Sequence, residues 1–328
     1  MIIELPLREE ELTDAVGWTL KESGLCRAEA CIPVRDRGRL LDDGVIDATE
    51  LARLLGRPIL IDTDESVAAL GSAVQDLHLA QRDRIAPDFE LPDLDGKPFR
   101  LSQFTGKRLL HAFASWCGCR YDLPGWQSLH SELRAEGHDF TVVAVALDDD
   151  PEDVRPWAQG IDMPVLVDRD HVVAELFAIS NVPCATWIDE NDRIVRPNAW
   201  TFSTEISTQF TGVDEDLDPI RAWVRSGTVP PVNETVDTSL TDDELEARLH
   251  FTLGVHLRDR GRDDAAQRHL SRAVELAPFD FTISRASMPL RGIDPFGQAT
   301  FDLYDRWNEA GQPYHGLAPR FAPPPNES

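Results

Sequence analysis

Lysine is nearly absent from this chain: Lys21, Lys97 and Lys107 are the only three in 328 residues. Nearly all positive charge is arginine, and Lys plus Arg number 32 against 58 Asp plus Glu, a formal net charge of −26. Phosphate binding needs clustered cations, so this balance argues against nucleic acid and against anionic membrane surfaces. Apolar runs of about 18 residues, the length of a membrane span, are also missing. The opening Met1-Ile2-Ile3-Glu4-Leu5-Pro6 lacks the basic region and apolar core of a secretory signal. That sets the expectation of a cytoplasmic protein. Cysteine is scarce, at positions 26, 31, 117, 119 and 184. Five in a chain this long make no disulfide scaffold. In a reducing cytosol such residues are more often catalytic, sensing or metal-binding than structural. The acidic surface itself has two readings: adaptation to salt through strong hydration, or a GC-rich genome that favours Arg, Asp and Ala codons.

Punctuation along the chain suggests five segments. Residues 1–83 read as a small α/β module of unknown role, with a capping box at Asp47-Ala48-Thr49-Glu50, a helix stop at Gly56 and a buried strand at Pro58–Asp62. Residues 84–226 alternate apolar strands (109–114, 141–147, 165–167, 186–188) with helix-like stretches (126–133, 171–178), the texture of an α/β layer around a central sheet. Asp95-Gly96 marks a turn. Residues 227–240 form a linker around Pro230-Pro231. Thr241-Asp242-Asp243-Glu244 is a second capping box, opening a helical hairpin over 241–280. There Leu253-Gly254, Leu257, Ala266, Leu270, Ala273 and Pro278 fall at the offsets of one tetratricopeptide unit. A lone repeat cannot bury its own face, so it must rest on another domain, the tail or a protein partner. The alternative is an ordinary helical hairpin with small residues at its crossing. The tail, 281–328, holds a turn-rich stretch over 287–297 that is suited to covering another domain. It continues with a short amphipathic helix at Phe301–Trp307 and ends on Pro323-Pro324-Pro325, expected to be disordered.

Chemistry concentrates at Trp116-Cys117-Gly118-Cys119-Arg120-Tyr121-Asp122-Leu123-Pro124, joined by Val182-Pro183-Cys184. With Ala86-Pro87-Asp88-Phe89, Leu94-Asp95-Gly96 and Ala114-Ser115-Trp116-Cys117, this ordered set resembles the redoxin domain of the thioredoxin superfamily, nearest the TlpA/ResA-like group. The same cues are similar to a ResA-like subgroup in which selenocysteine can replace the first cysteine. The resemblance covers 85 to about 225. It implies a thioredoxin-like central sheet flanked by helices, a cis-proline at Pro183 beside the cysteines, and thiol–disulfide chemistry without a cofactor. Two residues depart from the group's pattern. One residue, Gly118, separates the cysteines where two are usual, and Cys184 follows the proline where Thr is usual. The group is also typically exported.

Disulfide exchange needs one accessible thiolate and a second thiol to resolve the mixed disulfide. A helix starting at Cys117 would favour its anion through exposed N–H groups and the helix dipole. Cys117 is therefore the expected nucleophile, at an open edge of the sheet, and Cys119 the more buried resolving thiol. Arg120 is expected to be solvated. Asp122 is either a proton relay for the resolving thiol or a helix cap. A Cys-Gly-Cys disulfide requires Cα atoms about 4.4–6.8 Å apart, and Gly118 supplies the freedom to bend. The small ring should be strained, which raises its reduction potential and makes the pair a better oxidant or isomerase than a reductase. Cys184 has three readings: a buried small hydrophobe, a third redox sulfur, or part of a thiolate cluster suited to Cu(I) or Zn. Cys26 and Cys31 form a second dithiol, a local structural link, or no pair. The histidines show no metal-ligand spacing, and no metal is expected.

The leading function is thus a thiol–disulfide oxidoreductase acting on a protein disulfide or a small thiol, with its thiol electron donor undetermined. A peroxiredoxin-like peroxidase would need Pro-x-x-x-Thr/Ser-x-x-Cys. The matching positions are Leu110 and Ala114 before Cys117, and Ala112 and Trp116 before Cys119. A non-catalytic binding scaffold built on the repeat is the third reading.

Overall fold

The computed structural model describes residues 1–201, 203, 217–231 and 239–311. Residues 232–238 of the expected linker and the Pro323-Pro324-Pro325 end lie outside this set. The chain forms two units, each discontinuous in sequence: Met1–Asp76 with Thr241–Ala277, and Leu77–Leu240 with Pro278 onward.

The second unit is built on β1 (Lys107–Phe113), β2 (Phe140–Ala146), β3 (Val165–Val167), β4 (Cys184–Ile188) and β5 (Ile194–Ala199). They lie in the order β3-β2-β1-β4-β5. β1, β2 and β3 run parallel, while β4 and β5 are antiparallel additions. All seven residues of β2 are buried, which is why its sequence, Phe-Thr-Val-Val-Ala-Val-Ala, is almost continuously apolar. Helix α1 (Leu123–Ala135) buries Leu123, Trp126, Leu129 and Leu133 at helical spacing. Trp126 meets the fully buried His111 of β1, ring centroids 4.7 Å apart. Burial pushes the His111 imidazole down to about 3, so it is neutral core. Helix α2 (Val172–Leu176) has its first N–H groups satisfied by the buried Asp168 carboxylate, which accepts from Val172, Val173 and Ala174. Helix α3 (Asp218–Ser226) stacks Trp223 on Trp187 of β4 at 5.0 Å and edge-on to Phe140 at 6.3 Å. Arg221 and Arg225 of α3 bridge to Glu132 of α1, placing both helices on one face of the sheet. Ahead of the sheet, strands Glu90–Pro92 and Pro98–Arg100 pair around the expected Asp95-Gly96 turn, with Gly96 at φ +81°.

In the first unit, Ile2–Glu4, Val67–Leu70 and Ile59–Asp62 form an antiparallel three-stranded sheet with Val67–Leu70 in the centre. Strand alternation sends its two faces to different cores. Ile3 and Leu70 join Leu7, Leu12, Leu25 and Leu51 on one side. Val67, Ala69, Ile2 and Leu60 on the other side meet Leu249, Leu253, Leu257, Ala265 and Ala266 of the hairpin. Ile59–Asp62 is only half-buried, with Ile61 exposed, because it is an edge strand; the expected buried strand is corrected accordingly. The hairpin helices are Asp242–Asp259 and Asp263–Leu276. Thr241 and Glu244 cap the first reciprocally, as anticipated. The hairpin's apolar face rests on the chain's own strands. Polar ties run the same way: His269 bonds Asp62 at 2.9 Å and His250 at 2.8 Å, and Arg262 pairs with Glu65 at 2.7 Å.

Candidate active site

Cys117 follows β1 and caps a 3₁₀ turn, Gly118–Asp122, that runs into α1. The sequence suggested an α-helix beginning at Cys117; the regular helix begins at Leu123. The N–H of Cys119 points at Cys117 Sγ, 3.3 Å away, so the exposed-donor argument holds in 3₁₀ form. Gly118 has no positive φ and open space around the position of a Cβ. Its special freedom is therefore unused in this dithiol state.

Two residues after β2 hold the approach to the turn. Leu147 O accepts the Trp116 indole N–H at 3.0 Å. The Asp148 carboxylate accepts the Ser115 N–H at 3.1 Å and the Ser115 hydroxyl. Burial pushes the Asp148 carboxyl up to about 7, opposed by those bonds. Val182-Pro183 is a cis peptide bond, and Cys117 Sγ lies 3.6 Å from Val182 O. The Pro183 loop therefore abuts the first cysteine.

The two thiols differ sharply. The Cys119 side chain hydrogen-bonds Cys117 and, against the cost of burial, brings its thiol down to about 7; the Arg285 charge and the Cys119 N–H act in the same direction. Burial, then that same bond, pushes Cys119 well above the usual thiol range. The nearby Asp122 charge opposes ionisation of both.

Several expectations need correction. Cys117 and Cys119 are not at an open edge: they are 5% and 2% exposed. Asp122 makes no capping bond with its side chain; it is wholly buried, and its Oδ1 and carbonyl meet Ser203. Arg120 is not free in solvent. Its guanidinium stacks on Trp157 at 4.2 Å and Phe296 at 4.6 Å, and it bonds Ser115 O at 2.8 Å. Cys184 is a fully buried thiol at the start of β4, paired in register with Ala112. Among the described residues, no three His, Cys, Asp or Glu side chains gather as a metal site would require. Cys26 and Cys31 are joined in a disulfide across a two-strand pairing, Gly24–Arg27 with Ala30–Ile32. They belong to the first unit, the dithiol to the second.

The C-terminal segment from Phe281 to Tyr304 comes beside the cysteines. Phe281 donates its N–H to Ser180 O at 2.7 Å, and Thr282 its hydroxyl to Ile179 O, docking the segment just before the cis-proline. Arg285 then lies over the Trp116 ring at 5.9 Å and the Phe296 ring at 5.7 Å. Tyr304 sits close enough that the charges of Arg285, Cys117 and Cys119 act on its phenol, which burial pushes up to about 12. The sequence pointed to 287–297 as a cover; of the side chains just named, Phe296 lies in that stretch, while Phe281, Thr282, Arg285 and Tyr304 lie outside it. Density of turn formers was the only signal. Asp148 had none, being one of three consecutive aspartates.

A five-stranded sheet of this order, a cysteine pair at the end of its central strand and a cis-proline alongside define a thioredoxin-like redoxin domain. Residues 83–197 match the AhpC/TSA family. Thiol-disulfide oxidoreductase ResA of Geobacillus thermodenitrificans is 26% identical over 147 residues, covering 44% of this chain and 76% of that protein. ResA of Bacillus subtilis is 26% identical over 139 residues, covering 40% and 76%. Among solved structures, a putative thiol:disulfide interchange protein DsbE from Chlorobium tepidum aligns at 29% identity with a TM-score of 0.33. That alignment covers 39% of this chain and 94% of that one. By sequence, the redoxin domain is thus a homologue of thiol–disulfide oxidoreductases, a class of redox enzymes.

Proposed function

We propose that the protein exchanges thiols and disulfides, with Cys117 as nucleophile and Cys119 as resolving thiol, on a protein disulfide or a small-molecule one. The observation that carries this is geometric: Cys117 caps the turn after the central strand, its Sγ accepts the Cys119 N–H at 3.3 Å and lies 3.6 Å from Val182 O of the cis Val182-Pro183 bond. The directions of the two thiols, Cys117 downward and Cys119 upward, agree with it. The Cys117 thiolate attacks one sulfur of a substrate disulfide. A Cys117–substrate bond forms, and the other substrate sulfur leaves as a thiolate. Cys119 then loses its proton and attacks Cys117 Sγ, releasing the second substrate thiol and leaving a Cys117–Cys119 disulfide. Two electrons have passed to the substrate, and an external thiol donor restores the dithiol. The cis-Pro183 loop borders the position the substrate sulfur must take. With Cys117 5% exposed, the substrate reaches it when the covering side chains move aside. Turnover of insulin disulfides and of a small disulfide with dithiothreitol as donor tests the reading, and no activity with either sinks it.

Two quantitative expectations follow from the same thiols. Only the thiolate alkylates, so iodoacetamide labelling of Cys117, read by peptide mass spectrometry, should rise with pH through a midpoint near 7. A midpoint near the ordinary thiol value, about 8.5, would contradict the assigned environment. Closing a disulfide across the single residue Gly118 should strain the ring. Redox-buffer titration is expected to give a potential above thioredoxin's, about −270 mV. A value at or below that removes the strain argument.

A further inference from the structure

Arg285 lies 88 residues beyond the family match, 285 against 197, yet it belongs to the neighbourhood of Cys117. It is 7% exposed. Its Nε and a terminal nitrogen both donate to Pro295 O, at 3.3 and 3.1 Å, which fixes the guanidinium in place. The rings of Trp116 and Phe296 flank it. No carboxylate pairs with it among the described residues. A buried guanidinium with one carbonyl and two ring faces is under-compensated, because burying a charge is costly unless an opposite charge meets it. Trp116 is the chain neighbour of Cys117, and the segment bearing Arg285 is anchored to Ser180 and Ile179, just ahead of the loop that touches Cys117 Sγ. Besides the buried Asp122 carboxylate, the anion that can form here is the Cys117 thiolate, next in the chain to Trp116.

We propose that Arg285, carried by the C-terminal segment rather than by the redoxin domain, is a positioning residue that supplies the positive charge facing the Cys117 thiolate. The segment beside the dithiol thereby favours its reactive form. Burial without a cation would suppress the thiolate, since desolvation disfavours it. The direction of the Arg285 effect on Cys117 agrees. The other ionisable groups at Cys117 are Cys119, Asp122 and Tyr304, with Arg120 turned onto Trp157 and Phe296. Arg285 is the cation that figures among the main influences on the thiol.

This inference rests on the nucleophile assigned above, but its test does not require turnover. In the full-length protein, Arg285→Met removes the charge and keeps an apolar stem between the two rings, while Arg285→Lys keeps the charge. The readout is the rate of Cys117 alkylation by iodoacetamide against pH. For Arg285→Met the midpoint should move up by about one unit, a tenfold lower rate below the midpoint, with Arg285→Lys close to the parent. If loosened packing were the whole effect, Arg285→Met would raise the rate at every pH and leave the midpoint in place, and that result overturns the proposal. So does an equal shift in both variants. Should Arg285→Met not fold, Arg285→Gln carries the same charge test. A parent protein with the low midpoint but no disulfide exchange would sink the oxidoreductase reading and leave the Arg285 assignment standing.

Discussion

Cys117→Ser is expected to reduce disulfide exchange to the uncatalysed rate, while Cys119→Ser should arrest the reaction halfway. The hydroxyl of serine does not ionise near neutral pH and cannot form the mixed disulfide, so nothing in the site substitutes for the Cys117 thiolate. Cys184 is a poor replacement because it is fully buried within β4. Cys119 is no better, being held well above the usual thiol range by burial and by its bond to Cys117. In Cys119→Ser the first step still proceeds. One equivalent of substrate thiol should be released, and a covalent adduct on Cys117 should accumulate, visible by intact mass and reversed by dithiothreitol. That adduct separates the two roles more sharply than activity does. Retained turnover in Cys117→Ser, or an adduct on Cys119 in the parent protein, would invert the mechanism.

How much of this was legible in the sequence depended on how local the physics was. The capping box at Thr241 was readable because its bonds close within three residues. At Asp47 only half of the expected box forms, since Asp47 accepts the Glu50 N–H while the Glu50 carboxylate turns to Arg53. β2 was readable because a strand buried on both faces has to be apolar throughout. The dithiol and Pro183 were readable because a family pattern ties them together in order. Arg285, Phe296 and Tyr304 were not. Arg285 and Tyr304 come within electrostatic reach of Cys117 from far along the chain, at positions 285 and 304 against 117, and nothing in an Arg, or in a Tyr on the helix Gln298–Glu309, announces a sulfur as its neighbour. The burial of Cys117 was hidden for the same reason, since the Val182 carbonyl that meets its Sγ comes from a loop 65 residues along the chain. Asp122 shows the limit of a local rule. It occupies a capping position, yet its carboxylate is turned toward Ser203. The pairing of Cys26 with Cys31 needed the register of two short strands, which residue spacing alone left open. The hairpin raises a further point. Whether read as one repeat or as an ordinary hairpin, two helices alone leave an apolar face uncovered, and that face meets Val67 and Ala69 in the N-terminal part of the chain.

Gly254→Val should unfold the first unit at markedly lower denaturant. A glycine inside a helix ordinarily costs about 1 kcal/mol relative to alanine, so substitution there would stabilise if space allowed. Space does not allow it. A Cβ on Gly254 would lie 2.6 Å from Leu270 Cγ, 2.7 Å from its Cδ2 and 3.2 Å from its backbone nitrogen. Leu270 is 1% exposed and has no room to retreat. Overpacking of this kind costs about 1–3 kcal/mol. A branched side chain adds a second clash, so a loss of about 2–4 kcal/mol is expected. The two hairpin helices cross at this point, and their apolar face covers Val67 and Ala69. Amides of Val67–Leu70 should therefore lose hydrogen-exchange protection in the variant. Removing the obstacle should reverse the sign of coupling: Gly254→Ala is expected to be less harmful in a Leu270→Ala background than alone, the mark of two groups competing for one volume. Undiminished protection of Val67–Leu70 in Gly254→Val would mean that the helices do not meet at this glycine. The hairpin's dependence on the N-terminal strands would then need another basis.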